Sequence, residues 1–138
     1  MNYLACKRLN TAYLRRIEDD AILDIAIGLE ALLANDSKGE ITYRLAIRLA
    51  SLTKVENFET YNAKEVFDIC KKIYEYRSAV IHGSHDVQKK RVIKTQGQIE
   101  PVEAIKLGLA LLRYTIRVLS KNKDLLDSKN MDYHLLES

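Results

Sequence analysis

The segment AILDIAIGLEALLA, residues 21–34, limits the fold of this chain more than any other feature. It predicts a helix in which Asp24 and Glu30 are the only charged residues, whereas a surface helix keeps a polar face toward water. A helix that is apolar nearly all round has to be covered by other elements on every side. We therefore expect residues 21–34 at the centre of the fold, with Asp19 and Asp20 capping the amino end of the helix.

Four further helices are predicted from apolar residues that recur three and four positions apart. They cover residues 2–17, 40–52, 63–82 and 101–119. Ser37 and Glu40 have the spacing of a capping box before the third helix, and Asn62 carries a weaker form of the same signal before the fourth. No strand pattern competes with these segments, so the sequence predicts an all-α fold, an antiparallel bundle of four to five helices.

The length of 138 residues fits one domain with a single core. We assign residues 1–120 to one helical domain, and residues 121–138 to a polar C-terminal tail that holds one short helix or is frayed. Pro101 suits the first turn of the fifth helix. Residues 83–100 before it form the longest irregular stretch, which leaves room for one short helix, and loops of this length are often functional.

Several classes of protein and site are excluded by the sequence. No window approaches the roughly 18 uninterrupted apolar residues of a membrane span, and the start of the chain lacks the pattern of a signal peptide. Cys6 and Cys70 lie in apolar helical patterns, where they are expected as reduced core thiols. A glycine break separates His82 from His85, His134 stands alone in the tail, and no cofactor motif is present. We therefore predict a cytoplasmic protein without metal or cofactor.

The net charge of +3 is unevenly distributed along the chain. Residues 71–94 carry seven basic and two acidic residues, a net charge of +5, so the remaining chain is slightly acidic. A basic cluster of this kind is either a solvated face or the electrostatic footprint of a phosphate backbone. In the second case Lys89, Lys90 and Arg91 would supply non-specific affinity for that backbone.

The stretch YEYRSAVIHG, residues 74–83, ends the fourth helix inside this basic region. Arg77 falls in the apolar stripe of the helix, where a permanently charged side chain is costly unless it has a partner. His82 lies at the helix end, where an imidazole can give or take a proton near neutral pH. Gly83 suits the left-handed residue that ends a helix.

Arg77 and His82 are the groups that a metal-free cleavage of RNA requires. A histidine can remove the proton from a 2′-hydroxyl, which then attacks the adjacent phosphodiester, while an arginine fork binds the non-bridging oxygens. Five residues at about 100° each place the two side chains roughly 140° apart on an ideal helix. The pair is therefore better suited to act across the axis of a dimer than within one chain. The alternative is a surface arginine and a histidine that caps the helix.

RSAVIHG at the end of the penultimate long helix resembles the Arg-x4-6-His motif of the HEPN superfamily, whose name stands for higher eukaryotes and prokaryotes nucleotide-binding. The order of the segments DDAILDIAIGLEALL, EITYRLAIRLASL and IYEYRSAVIHG is similar to that of its Apea-like branch. The resemblance covers roughly residues 2–120. It implies a helical bundle that dimerises through its motif helices. It also implies metal-independent endoribonuclease activity, which many members have. Those members often act as toxins, in antiviral defence or in RNA processing.

The resemblance also implies roles for individual residues. Arg77 would bind the phosphate, and His82 would act as general base or acid. Ser78, which stands where many active members have Asn, Asp or His, would orient or hydrogen-bond the phosphate. Other HEPN domains bind nucleotides or dock partners without cleaving RNA, so a non-catalytic module for dimerisation is the alternative function. The expected partners are RNA, a second copy of the chain, and either an antitoxin or the rest of a longer protein.

Three further residues are candidates around the motif. A glutamate in an apolar helix needs a partner, so Glu30 is expected either to form a structural ion pair with Arg48 or to hold the guanidinium of Arg77. Tyr74 lies on the apolar stripe and is expected in the core. Tyr76 lies off the stripe, and we expect it either to stack on a base or to be an ordinary exposed or interface tyrosine.

Overall fold

The structure is a computed structural model that describes residues 3–14, 18–34, 40–96 and 98–136. The helices are Tyr3–Leu14 (α1), Glu18–Leu33 (α2), Ile41–Leu52 (α3), Ala63–His82 (α4), Val87–Lys90 (α5), Ala104–Lys121 (α6) and Ser128–Leu136 (α7). The other described elements are the strands Val92–Ile93 (β1) and Val102–Glu103 (β2) and a 3₁₀ turn at Lys123–Leu126. The predicted all-α helical bundle is confirmed, since α1, α2, α3, α4 and α6 each have 12 or more residues.

α2 is the central helix that its sequence predicts. Ile22, Ile25 and Leu29 are completely buried, and the helix contacts α1, α3, α4 and α6. Asp24 is also buried, and its carboxylate accepts a hydrogen bond from Nη1 of Arg8 on α1 at 2.7 Å. This buried carboxylate is thus paired at the α1–α2 contact, as a charge inside a protein has to be.

α2 and α6 approach each other closely because each has a glycine at their contact. A Cβ atom on Gly28 would lie 3.0 Å from two side-chain carbons of Leu112, and one on Gly108 would lie 3.1 Å from side-chain carbons of Ile25. An alanine at either position would force the facing side chain to move in a close-packed core. The two glycines therefore set how near α6 comes to the central helix.

α4 begins and ends at the residues that the sequence predicts. The amide of Glu65 donates to Oδ1 of Asn62 at 2.8 Å, and the amide of Asn62 donates to Oε1 of Glu65 at 3.1 Å, so the capping box is complete. Gly83 has a φ of 58°, the left-handed conformation that ends a helix without a steric penalty at glycine. The motif histidine, His82, is consequently the last residue of the helix.

The starts of two other helices differ from their predicted positions. α2 begins at Glu18, so the prediction that Asp19 and Asp20 precede and cap this helix was wrong. Acidic residues inside a first turn are instead favoured by the positive end of the helix dipole. α3 begins at Ile41, and its predicted capping residue Ser37 lies outside the described residues, as do both ends of the predicted first helix.

The segment between α4 and α6 contains a small antiparallel hairpin that the sequence analysis missed. β1 and β2 pair over two residues each, and Ile93 of β1 is buried. Pro101 therefore precedes a strand, and α6 begins at Ala104 instead of at the proline. Strands of two residues are too short to produce an alternating pattern, which explains why the prediction was wrong. The short helix for which this region leaves room is confirmed as α5.

The C-terminal segment forms a helix, the first of its two predicted alternatives, and this helix packs on the bundle. Leu125 and Met131 are buried, and α7 contacts α3. Asp132 of α7 forms a two-point ion pair with Arg48 of α3, in which the Nε–Oδ1 and Nη2–Oδ2 distances are both 3.0 Å. The polar composition of the segment gives no indication of this contact with a buried arginine.

Glu56 ties the connection between α3 and α4 to α6. Its carboxylate accepts hydrogen bonds from Nε of Arg117 at 2.9 Å and from Nζ of Lys121 at 3.4 Å. Its backbone carbonyl accepts a hydrogen bond from the Tyr114 hydroxyl at 2.6 Å. The hydrogen bond from Arg117, together with the positive charge of Lys121, holds the pKa of Glu56 below its ordinary value.

We expect the Glu56→Gln variant to be less stable than the wild type at neutral pH but not in acid. Because the folded-state pKa lies below the unfolded value of about 4.3, the stabilisation is present above the unfolded pKa and disappears as the pH falls through the folded pKa. Urea unfolding at a series of pH values checks this, with Glu100→Gln as the control because Glu100 is exposed and outside this contact. A stability difference that does not change with pH would contradict the lowered pKa.

Candidate functional site

Arg77 lies half-buried on α4 with an unsatisfied guanidinium. Its Cζ lies 5.7 Å from the centre of the Tyr74 ring, and its Nε is buried without a hydrogen-bond partner. Within the described ranges no carboxylate forms an ion pair with it. Arginine stays charged at any physiological pH, and a buried donor without a partner is costly. The half-buried side chain therefore offers an incoming anion a positive charge that no described carboxylate neutralises.

Glu30 and Tyr74 connect α2 to the part of α4 that carries Arg77. The Tyr74 hydroxyl donates to the carbonyl of Ala26 at 3.3 Å. Burial, and then the nearby carboxylate of Glu30, raise the pKa of Tyr74 well above its ordinary value. In the described structure Glu30 forms an ion pair with neither Arg48 nor Arg77, so neither predicted pair exists. Glu30 and Arg77 are neighbours of the same tyrosine instead.

Arg48, the other residue predicted to support the site, is a structural residue of the core. Only 1% of its surface is exposed, and its Nη1 donates to the carbonyl of Leu33 at the end of α2. The carboxylate that pairs with it belongs to Asp132, which lies 84 positions along the chain. Arg48 therefore joins α2, α3 and α7, and the partner predicted from the neighbouring helix was the wrong one because the sequence gives no sign of so distant a contact.

Ser78 and His82 are exposed on the solvent side of α4. They continue a row of side chains spaced three and four residues apart, which also contains Lys71 and Glu75 and therefore follows one face of the helix. Arg77 lies off this row, since five residues at about 100° each turn it roughly 140° away from His82. The structure places these residues within two turns of one helix, but in the described chain no hydrogen bond joins Arg77 to His82.

Tyr76 is buried, with 1% of its surface exposed, so the prediction of an exposed or interfacial side chain was wrong. The reason is that α4 contacts α2, α3 and α6 and buries more than one stripe. A second apolar stripe, spaced three, four and three residues apart, consists of Val66, Ile69, Ile73 and Tyr76. This spacing is visible in the sequence and would have placed Tyr76 in the core. The tyrosine cannot stack on a base without leaving the core.

The three cations predicted to bind a phosphate backbone differ in how far their charges are neutralised. Nζ of Lys90 lies 3.2 Å from the carboxylate of Asp86, and Nη2 of Arg91 lies 3.9 Å from that of Glu103. Lys89 is exposed, and no carboxylate of the described residues pairs with it. Lys89 is therefore the best placed of the three to contact a phosphate.

A concave surface that was not predicted from the sequence lies between α4 and the hairpin. One depression of about 430 Å³ lies between the first half of α4 and residues 94–96, and a second of about 320 Å³ lies between α4 and residues 86–94. Both are lined by Lys72 and Lys94, so they adjoin, and we name them together the α4–hairpin groove. The basic excess over residues 71–94 indicated a charged surface in the sequence. The groove itself was not predictable, because the hairpin that forms one of its walls was not predicted.

The described residues contain no group of three or more histidine, cysteine, aspartate or glutamate side chains that could hold a metal ion. No helix in the described part of the chain has the length and apolar character that a membrane crossing needs. No family model, no curated protein and no solved structure matches this chain.

Proposed function

We propose that the protein is a metal-independent endoribonuclease of the HEPN type, which cleaves RNA by transesterification through the 2′-hydroxyl. The observation that carries this proposal is the state of Arg77, which is half-buried and forms no ion pair with any described carboxylate. A structural arginine is normally satisfied by the protein, as Arg48 is, whereas a phosphate-binding one keeps its donors for the ligand. The resemblance of RSAVIHG to the HEPN motif supports the same reading.

The proposed reaction needs a base, an acid and two groups that bind the phosphate, and it needs no metal. His82 takes the proton from the 2′-hydroxyl, the 2′-oxygen forms a bond to the adjacent phosphorus, and the bond from phosphorus to the 5′-oxygen breaks. The leaving 5′-oxygen receives a proton from the protonated imidazole of His82 in a second copy of the chain, so the products end in a 2′,3′-cyclic phosphate and a 5′-hydroxyl. Arg77 stabilises the additional negative charge on the non-bridging oxygens, and the hydroxyl of Ser78 donates a hydrogen bond to the phosphate.

A homodimer would supply what one chain lacks. A single exposed histidine cannot readily be both base and acid, and Arg77 lies on another side of α4 from His82. Ile81 lies between them on the helix surface, four residues after Arg77 and three after Ser78, and half of its surface is exposed. A second copy that covers this isoleucine would bring the arginine of one chain toward the histidine of the other and provide the second imidazole.

The proposal is tested by incubating the protein with single-stranded RNA in excess EDTA and following the length of the RNA on a denaturing gel. We expect cleavage at a rate that EDTA leaves unchanged, because no step uses a metal. DNA of the same sequence is the matched control, and it should stay intact because it has no 2′-hydroxyl. Intact RNA, or cleavage of both nucleic acids alike, would contradict the proposal.

The alternative is a non-catalytic module for dimerisation, nucleotide binding or partner docking. It is favoured by the separation of Arg77 from His82 on α4, which leaves no joint site in one chain. On this alternative RNA stays intact in every assay, while disruption of the motif helix still abolishes association.

If the protein is the proposed endoribonuclease, we propose that it acts as a toxin or in antiviral defence in the cytoplasm. Its further partner would be an antitoxin or the rest of a longer chain.

A further inference from the structure

We propose that the α4–hairpin groove binds the phosphate backbone of single-stranded RNA and leads the strand to His82. The groove runs beside α4 from Asn62 to Glu75, which is about 20 Å at 1.5 Å per residue. The choice of RNA as the strand rests on the proposed function. The binding itself does not require cleavage and can be measured separately.

The charges that line the groove leave a positive excess at its centre. Three of its four carboxylates are already engaged: Asp68 with Lys64 at 3.7 Å, Asp86 with Lys90 at 3.2 Å, and Glu65 with the backbone amide of Asn62 at 3.1 Å. The cations without a carboxylate partner among the described residues are Lys72, Lys89 and Lys94. Glu75 and Glu65 oppose them, because a hydrogen bond from a neutral amide leaves the charge of Glu65 in place, and the groove lining keeps a net charge of +1. Cations spaced along a groove suit a ligand that carries one negative charge at every repeat.

The two walls of the groove are held together where the positive excess is greatest. Nζ of Lys72 on α4 donates to the backbone carbonyl of Lys94 at 3.2 Å. Beside this contact Thr95 lines the groove with 7% of its surface exposed, and its hydroxyl oxygen has no hydrogen-bond partner. The hydrogen bond between Lys72 and Lys94 therefore fixes the two walls of the groove relative to each other.

The groove opens toward the proposed catalytic histidine. Glu75 is the last residue of α4 that lines it, and Ser78 and His82 follow on the same exposed face. Seven residues separate Glu75 from His82, a distance of about 10 Å along the helix. A strand that leaves the groove at Glu75 thus reaches Ser78 and then His82 without crossing to another face. The carboxylate of Glu75 lies on this path and should weaken the binding of a phosphate backbone.

The test measures binding without cutting, by fluorescence anisotropy with labelled single-stranded 2′-O-methyl RNA, which has no free 2′-hydroxyl to attack. We expect the double variant Lys72→Gln/Lys94→Gln to bind about tenfold more weakly. We also expect its slope of log affinity against log salt to be shallower by about 1.4, since each lost phosphate contact on a single strand accounts for about 0.7. The affinity of the wild type should therefore fall about sevenfold more than that of the variant between 50 and 200 mM salt.

Removing a negative charge from the groove should have the opposite effect on RNA affinity to removing a lysine. Glu75→Gln should tighten RNA binding. Asp124→Asn should not, because it removes an exposed carboxylate that does not line the groove. The control for the lysines is Lys106→Gln/Lys129→Gln, which removes two exposed cations that do not line the groove. Equal losses in the two double variants would mean that net charge alone determines affinity, and would overturn the proposal.

Other outcomes separate this proposal from its alternatives and from the proposed function. Equal affinity for a free mononucleotide would show a site for a single phosphate, and preference for polyglutamate would show a site for an acidic protein; either result overturns the proposal. Failure of the wild type to bind the RNA overturns it as well. If the groove variants lose binding as expected while ordinary RNA stays uncut in EDTA, the groove is supported and the proposed cleavage fails.

Discussion

The Asp132→Ala variant is expected to unfold at a lower urea concentration than the wild type, with a loss of about 2 to 3 kcal/mol in the free energy of unfolding. Arg48 is 1% exposed, and its guanidinium donates two hydrogen bonds of 3.0 Å to the carboxylate of Asp132. Removing one partner of a buried pair costs about 3 to 5 kcal/mol. We expect a smaller loss because the side chain of Asp132 is 53% exposed and water can replace part of the interaction.

Two further variants separate the ion pair from other effects of the substitution. Asp124→Ala removes an exposed carboxylate from the same segment and should change stability by less than about 0.5 kcal/mol. Arg48→Met removes the buried charge, so Asp132→Ala should cost little free energy of unfolding in that background. The cost of Asp132→Ala in the wild type minus its cost in Arg48→Met is the coupling energy of the pair. Wild-type stability of Asp132→Ala would show that α7 does not depend on this contact.

The His82→Ala variant is expected to cleave RNA about 10²- to 10⁴-fold more slowly than the wild type, because a positioned general base or acid contributes that much to a rate. Arg77→Ala should lose about 10²- to 10³-fold, the usual effect of removing one donor to a developing negative charge. Initial rates on single-stranded RNA in EDTA, at saturating protein, measure both effects. Arg77→Lys should recover only part of the rate, since it keeps the charge but loses the planar fork.

The chain offers a matched control for each of these residues. His85 is exposed three residues beyond His82, and Arg44 is an exposed arginine on α3, so His85→Ala and Arg44→Ala should cleave at the wild-type rate. Circular dichroism of each variant checks that α4 has kept its helical content. Wild-type rates in both His82→Ala and Arg77→Ala would contradict the assignment of the site, even if the protein did cleave RNA.

The sequence predicted α4 to the residue because every signal for it is local. Asn62 and Glu65 cap its start, Gly83 ends it, and its apolar stripe lies between them. The prediction for Tyr76 was wrong although its signal is also local, because it considered one apolar stripe on a helix that packs against α2, α3 and α6. The exposed positions of Ser78 and His82 follow from the same helical spacing.

Contacts between distant parts of the chain could not be predicted in this way. The pairing of Arg48 with Asp132 spans 84 positions, and nothing in the composition of the C-terminal segment distinguishes Asp132 from its acidic neighbours. The hairpin that forms one wall of the α4–hairpin groove consists of two residues on each strand, too few for a periodic pattern. The sequence shows the excess of basic residues, but it does not show that these residues line a groove.

Metal-independent cleavage through the 2′-hydroxyl is tested most directly by the chemistry of the new RNA end formed in excess EDTA. Mass spectrometry of the 5′ fragment distinguishes a 2′,3′-cyclic phosphate from a linear phosphate, because the cyclic form is lighter by one water. We expect the cyclic phosphate from the wild-type protein, and we expect it to form about 10²- to 10⁴-fold more slowly with His82→Ala. Fragments that end in a 3′-hydroxyl, or RNA that remains uncut, would contradict the proposed mechanism.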